Sequence, residues 1–203
     1  MNCFAMTAEE SRRKKGSIGK PLMFTEARLV DEAGTVLPDG VVGELCLRGP
    51  HVCRGYWGNP EATAAALDAD GWFQTGDLAR RDGEGFYTIA GRRKEMLISG
   101  GVNVYPAEIE GELLLCPGVA DAAVVGVPHE TWGEMGVAFV VRQPGGEGDA
   151  LGPAALTSFL EARLARYKVP KEIVFVPSLP RTAYGKVVKG ELKEAWLKGK
   201  GGA

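Results

Sequence analysis

Apolar and polar residues alternate in short bursts over the first ninety positions, and then the period changes. Glu26-Ala27-Arg28-Leu29-Val30-Asp31 alternates and runs into Glu32-Ala33-Gly34, a turn composition. Gly43-Glu44-Leu45-Cys46-Leu47-Arg48-Gly49 alternates between two glycines, and Gly85-Phe86-Tyr87-Thr88-Ile89 is a further short run. A period of two sends successive side chains to opposite faces of a strand. Short strands at this spacing predict a small antiparallel sheet or barrel over residues 18–89. One helix interrupts it, with Asn59 as N-cap, Pro60 at the first helical position and an end near Leu67.

After Gly91-Arg92-Arg93-Lys94 the pattern becomes α/β. Glu95 to Ile98 and Val102-Asn103-Val104 flank Gly100-Gly101 and predict a hairpin. A helix follows, opened by Pro106, with Glu108 and Glu110 in its first turns, where carboxylates favour the helix dipole. Val119 to Val127 and Gly136 to Arg142 read as strands, and Pro144 to Pro153 as a glycine-rich loop. Leu156, Phe159, Leu160 and Leu164 recur at helical spacing within a packed helix from Ala154 to Ala165. The β-like run Ile173 to Val176 and a helical tail, Val188 to Leu197, close the chain. The predicted class is α/β (α+β). A short, distorted antiparallel barrel or sheet piece occupies 1–91, a small mixed α/β domain occupies 95–203, and 92–94 join them as a hinge.

Composition narrows the function classes. The 203 residues are 45% hydrophobic and 25% charged, as in ordinary soluble globular chains, and can bury a real core. A net charge of -2 speaks against a nucleic-acid or anionic-membrane partner, and the basic run Arg12-Arg13-Lys14-Lys15 reads as a solvated turn. No stretch approaches the ~20 apolar residues of a membrane span, and no signal-peptide order is seen at the start. Cys3, Cys46, Cys53 and Cys116 form no CxxC pair, and only His51 and His129 could assist them, so a zinc site is not expected. Free thiols fit a reducing cytoplasm.

Four segments carry candidate chemistry. Leu179-Pro180-Arg181-Thr182-Ala183-Tyr184-Gly185-Lys186 presents one lysine on a hinged loop, as a compact charge suited to phosphate or carboxylate, or simply as a solvated side chain. In Trp72-Phe73-Gln74-Thr75-Gly76-Asp77, a carboxylate at a strand-to-turn junction could accept from a vicinal diol such as that of ribose, or cap the turn. Gly91-Arg92-Arg93-Lys94-Glu95 lies at the composition change and reads as a hinge or a charged turn. Ser99-Gly100-Gly101 would let backbone approach a ligand, or would serve as an ordinary hairpin tip.

Taken in order, these segments resemble the adenylate-forming superfamily, in particular the C-terminal portion of its acyl-CoA synthetases, the fatty-acid–CoA ligases included. Gly43-Glu44-Leu45, Gly55-Tyr56-Trp57-Gly58-Asn59, Val102-Asn103-Val104-Tyr105-Pro106-Ala107-Glu108-Ile109-Glu110 and Tyr167-Lys168-Val169-Pro170 extend the resemblance to nearly the whole chain. It implies that a carboxylic acid reacts with ATP to give an acyl-adenylate, which CoA then converts to a thioester, with Mg²⁺ assisting. By that resemblance Asp77 binds the ribose hydroxyls. Arg92 and Thr7 contact the nucleotide, and Lys186 reaches the α-phosphate and the carboxylate. Lys94 is implied as the hinge of a lid that uses two faces in turn, the second lining a pantetheine channel with Gly100, Gly101 and Val102. Lys168 or Lys171 could meet the charged end of CoA, or remain solvated. A hinge Lys with Ser99-Gly100-Gly101 fits acyl-CoA ligases better than peptide-synthetase domains, which usually carry Asp there, or luciferase-like members, which carry Lys where Gly100 stands.

Three departures matter. The family's Thr-Glu pair reads Thr7-Ala8 here, and Glu9, the candidate Mg²⁺ ligand, stands one residue late. Tyr184 stands before Gly185, where Thr or a similar residue is usual. The Ser/Thr/Gly-rich phosphate loop and the region forming the acyl pocket are absent from these 203 residues. The expectation is therefore an enzyme part that is inactive alone, serving a synthetase whose acid is of the fatty class. The alternative is a non-catalytic, lid-like module that docks on a separate N-terminal synthetase polypeptide or binds AMP or CoA weakly.

Overall fold

The alternating segments of the first ninety residues pair into one six-stranded antiparallel sheet. In the computed structural model, which describes residues 3–200, its strands are β1 (Phe4–Ala5), β2 (Ser17–Pro21), β3 (Glu26–Val30), β4 (Val42–Arg48), β5 (Phe73–Arg81) and β6 (Tyr87–Arg92). They lie in the order β1-β2-β6-β5-β4-β3. Two short helices, α1 (Ala8–Arg13) and α2 (Pro60–Ala66), occupy connections. At α2 the Ala62 N–H donates to Asn59 Oδ1 at 2.9 Å, and Pro60 fills the first position, where an N–H would lack a helical partner.

Strand β4 has both faces covered. Leu45 and Leu47 pack with Phe4, Leu29, Ala79 and Tyr87. Cys46, on the other face, packs with Val30 and Trp72. Glu44 is buried at one end of the strand, a costly place for an unpaired carboxylate. Arg93 Nη1 answers it at 2.8 Å, and the Gly76 N–H donates to its second oxygen at 3.2 Å.

Lys14 Nζ lies 2.6 Å from both Asp82 Oδ2 and Glu84 Oε1. The Lys14 ammonium, with the Phe86 and Glu84 N–H groups, lowers the Asp82 carboxyl from its ordinary 3.8 to about 2. A pKa depressed in the folded state contributes stability above the unfolded value and loses it as pH falls through the folded one. The melting temperature of this sheet is therefore expected to fall between pH 4 and about 2. Lys14→Met should flatten that dependence, as read by circular dichroism melts across the range.

A second unit begins after Lys94. Its strands are β7 (Leu97–Ser99), β8 (Val102–Val104), β9 (Val119–His129), β10 (Gly133–Arg142) and β11 (Glu172–Phe175). Its helices are α3 (Pro106–Leu114), α4 (Glu147–Ala150), α5 (Pro153–Glu161) and α6 (Lys189–Lys200). β10 pairs with β9 and β7 antiparallel and with β11 parallel. The period of two divides the core between the sheet faces. Val124, Ala138 and Val140 meet Ile109 and Leu113 of α3 and Leu156 and Leu160 of α5. Val125, Val127, Val137 and Phe139 meet Leu179 and Leu192, with Trp196 of α6 packed against them. Among the described residues no helix is long and apolar enough to cross a membrane.

The mixed α/β class stands, with differences of detail: α1 joins the one helix expected in the first unit. The helix predicted from Ala154 to Ala165 stops at Glu161. The Arg163 and Leu164 N–H groups both turn back to the Leu160 carbonyl, at 3.0 and 2.7 Å, which brings Leu164 onto the core. A separate 3₁₀ turn, Arg166–Lys168, follows, and Val169, which precedes Pro170, is extended. The predicted loop from Pro144 to Pro153 contains the single-turn helix α4.

Candidate functional site

Asp77 lies inside β5 and not at a strand-to-turn junction. The turn-like composition Thr75-Gly76-Asp77 marks an irregularity within the strand. Pairing with β4 shifts register between Glu44 and Cys46, and pairing with β6 shifts between Leu78 and Ala79. Gly76 takes φ 71°, open to glycine at little cost. The Thr75 hydroxyl donates to the Leu45 carbonyl at 2.7 Å and accepts from the Asp77 N–H at 3.0 Å. Directly across on β6 stands Arg92, its Nε 2.7 Å from Asp77 Oδ1. The strand pair thus brings Asp77 and Arg92 together, and the aspartate side chain remains 28% exposed.

Lys94 is exposed in a single 3₁₀ turn, Arg93–Glu95. Its neighbours are tied down, each within its own unit. Arg93 holds Glu44, and Glu95 Oε2 accepts from Lys189 Nζ at 2.7 Å.

Gly100 and Gly101 form the tip of the β7–β8 hairpin, with φ 58° and 82°, and Val102 is exposed beside them. The Gly100 N–H donates to the Trp132 carbonyl at 2.9 Å, and a Cβ added there would fall 2.9 Å from Trp132 Cε3. At Gly101 no atom lies within 4 Å of such a Cβ. Lys168 is held by both Glu108 oxygens, at 2.7 and 2.8 Å. Lys171 Nζ lies 5.6 Å from the centroid of the Trp132 ring.

The loop carrying Lys186 is pinned, contrary to the loose loop its sequence suggests. Thr182 N–H to the Lys186 carbonyl (2.8 Å), Gly185 N–H to the Thr182 carbonyl (2.9 Å) and Val188 N–H to the Pro180 carbonyl (2.8 Å) close it as a tight reversal. Arg181 braces it, donating to the Gly185 carbonyl at 2.5 Å and pairing with Asp121 near the start of β9. Gly185 supplies φ 81°. Lys186 itself is exposed and, among the described residues, makes no ion pair.

Thr7 and Glu9 fall at the start of α1. Thr7 is the N-cap. Its N–H donates to Glu10 Oε2 at 2.8 Å and its hydroxyl accepts from the Glu10 N–H at 3.2 Å, a capping box that engages the hydroxyl in the fold. Glu9 is an exposed carboxylate in the first turn, and among the described residues no group of three His, Cys, Asp or Glu could hold a metal ion. Glu9 is thus a single exposed carboxylate and makes no closed metal site by itself. Among the described residues no cysteine is in a disulfide.

Sequence reasoning missed a cluster in the second unit. Lys189 Nζ sits between Glu95 Oε2 and Glu110 Oε1, at 2.7 and 2.8 Å. The local signal is a lysine three positions after Lys186, in a tail whose pattern reads only as helical.

Comparison with known proteins places these features. Residues 1–57 match the family described as AMP-binding enzyme, and residues 108–186 match the AMP-binding enzyme C-terminal domain. A feruloyl-CoA synthase of Amycolatopsis sp is 49% identical over 180 residues, 89% of this chain and 36% of that protein. A long-chain-fatty-acid–CoA ligase of Mycobacterium tuberculosis is 40% identical over 191 residues, 94% of this chain and 37% of that protein. The solved o-succinylbenzoate CoA synthetase of Bacillus subtilis, in complex with its acyl-adenylate intermediate, superposes with a TM-score of 0.87 at 36% identity, over 94% of this chain and 38% of that one. The chain therefore spans a little over a third of the length of the relatives it matches.

Proposed function

We propose that this chain, which belongs to the adenylate-forming superfamily as the C-terminal portion of an acyl-CoA synthetase, supplies the ribose-binding strand, the hinge and the lid of an enzyme that couples a carboxylic acid to CoA with ATP. A carboxylate oxygen attacks the α-phosphorus of ATP, pyrophosphate leaves, and an acyl-adenylate forms. The CoA thiolate then attacks the acyl carbon and AMP departs. The observation that carries this reading is Lys186, an ammonium with no ion pair among the described residues, at the end of a loop locked by Arg181 and Thr182. A preset cation offsets the charge that gathers as two anions meet at the α-phosphorus.

Asp77, oriented by Arg92 across the strand pair, accepts from the two ribose hydroxyls, and Arg92 and Thr7 flank the nucleotide. Rotation at Lys94 exchanges Lys186 for the Gly100–Gly101 tip, where the absence of side chains leaves room for pantetheine beside Val102. Lys94→Pro fixes φ and restricts Arg93 as well. It is expected to slow thioester formation more than adenylation in the full-length synthetase. Equal loss of both half-reactions would mark a folding defect and reject the hinge. No step is assigned to a protein-held metal.

For the acid, this reading keeps a fatty acid, the class named for the Mycobacterium tuberculosis relative. The feruloyl-CoA synthase relative makes an aryl acid the competing substrate. The ranking of kcat/KM across fatty acids of graded length and aryl acids, with full-length enzyme, decides between them.

One observation favours a second reading, in which the chain docks without catalysing on a separate N-terminal synthetase polypeptide. Met23, Phe24 and Trp57 of the first unit are 81%, 75% and 103% exposed, and such apolar surface calls for a cover. Purified chain given ATP, CoA and a panel of acids is expected to release no AMP under either reading. AMP release would show that the chain is an enzyme by itself. Binding to a separately expressed N-terminal region, with no AMP release from the pair, would establish the docking reading.

A further inference from the structure

We infer that Lys189 is a positioning residue for Lys186, tying the base of its loop to the residue that follows the hinge. The inference rests on the reading of Lys186 as the cation of adenylation.

Lys189 opens α6 three residues after Lys186. Its ammonium lies 2.7 Å from Glu95 Oε2 and 2.8 Å from Glu110 Oε1, in side chains that are 21%, 32% and 18% exposed. Glu95 is the residue next to Lys94, and its pairing with Lys189 spans 94 positions of sequence. Glu110 belongs to α3 and is fixed from a second side, since its Oε1 also accepts the Val124 N–H of β9 at 2.7 Å. One ammonium therefore joins the exit of the hinge, α3, β9 and the base of the Lys186 loop. Burial pulls its pKa down, but the two carboxylates raise it more, so the net shift is upward and the group stays charged at neutral pH.

The other supports of the loop do not reach the hinge. Arg181 braces it against Asp121, at the start of β9. Leu179 and Leu192 pack into the sheet face beneath it, with Val187 against them. Lys189 links it by side chain to Glu95, the residue after Lys94. A rotation at Lys94 then reaches Lys186 directly, through an ion pair, and sets where the ammonium arrives. The Gly100–Gly101 tip needs no such link. It follows Glu95 closely in the chain and is held by its own pairing with β8 and β10.

The test uses full-length synthetase and measures three quantities: single-turnover adenylate formation, thioester formation from isolated acyl-adenylate, and melting temperature. Lys189→Met removes the ammonium but leaves two carboxylates facing each other. Lys189→Met/Glu95→Gln/Glu110→Gln removes the cluster without stranding a buried charge, and its glutamine at 110 can still accept from Val124. Both variants are expected to lose about tenfold or more in adenylation, because small misplacement of a reacting group is expensive. Thioester formation and the KM for ATP should stay within about threefold of wild type, a split that a merely structural role would not produce. Lys189→Arg, which keeps the charge, should restore most of the adenylation rate.

The inference is overturned if the triple variant melts like wild type and adenylates at the wild-type rate, or if both half-reactions fall in equal proportion. Lys186→Ala in the same assay separates the two levels. Unchanged adenylation in Lys186→Ala would sink the underlying reading. A loss in Lys186→Ala with none in the triple variant would sink only the role of Lys189.

Discussion

Replacing Lys186 by alanine is expected to slow acid-dependent adenylate formation by about 10²- to 10³-fold, the range found when a preset charge-stabilising group is removed from an active site. The effect should fall on the rate constant and not on stability. The bonds that close the loop come from backbone groups, the Thr182 hydroxyl and Arg181, none of which alanine disturbs. An exposed position without partners usually changes stability by no more than about 0.5 kcal/mol. ATP–pyrophosphate exchange dependent on the acid, measured in the full-length synthetase, checks the rate, and a melt of the same protein checks the fold. Lys186→Arg should recover only part of the loss, since a planar guanidinium does not place its charge where a compact ammonium does.

The second large effect is expected at Asp77. A carboxylate accepting from both ribose hydroxyls makes two charge-assisted bonds, and a bond to a charged group contributes about 1.5–3 kcal/mol. Asp77→Ala should raise the KM for ATP by about 10²-fold or more, with a smaller change in kcat, because ribose binding contributes alike to ground and transition states. It also removes the carboxylate facing Arg92 Nε at 2.7 Å. Arg92→Ala alone, and the double variant, therefore belong in the same experiment. If Arg92 acts on the nucleotide by orienting Asp77, the double variant should lose little beyond Asp77→Ala. Wild-type KM for ATP in Asp77→Ala would remove the residue from the nucleotide site.

Much of this architecture is legible in the chain because it is local. Alternation in β3 and β4 marks strands whose faces are set by the pleat, and Asn59-Pro60 fixes the start of α2 by capping chemistry. Local composition misleads at Asp77. Thr75-Gly76 looks like a turn, yet the glycine serves an irregular strand whose neighbours β4 and β6 hold it extended on both sides. The pinned loop of Lys186 is hidden for a related reason. Its brace, Asp121, lies 60 positions away, and no local pattern relates an arginine in one turn to an aspartate in a distant strand. The Lys189 cluster is farther still from local reading. Its carboxylates come from Glu95 and from α3, so its burial exists only once β9 and both helices have packed.

The central claim is that Lys186 serves the first half-reaction and not the second. Its most direct test is thioester formation from isolated acyl-adenylate and CoA by the full-length Lys186→Ala synthetase, set beside its adenylation rate. Thioester formation within about threefold of wild type, alongside adenylation reduced by about 10² or more, is the predicted result. Wild-type adenylation in this variant, or an equal fall in both half-reactions, would contradict it.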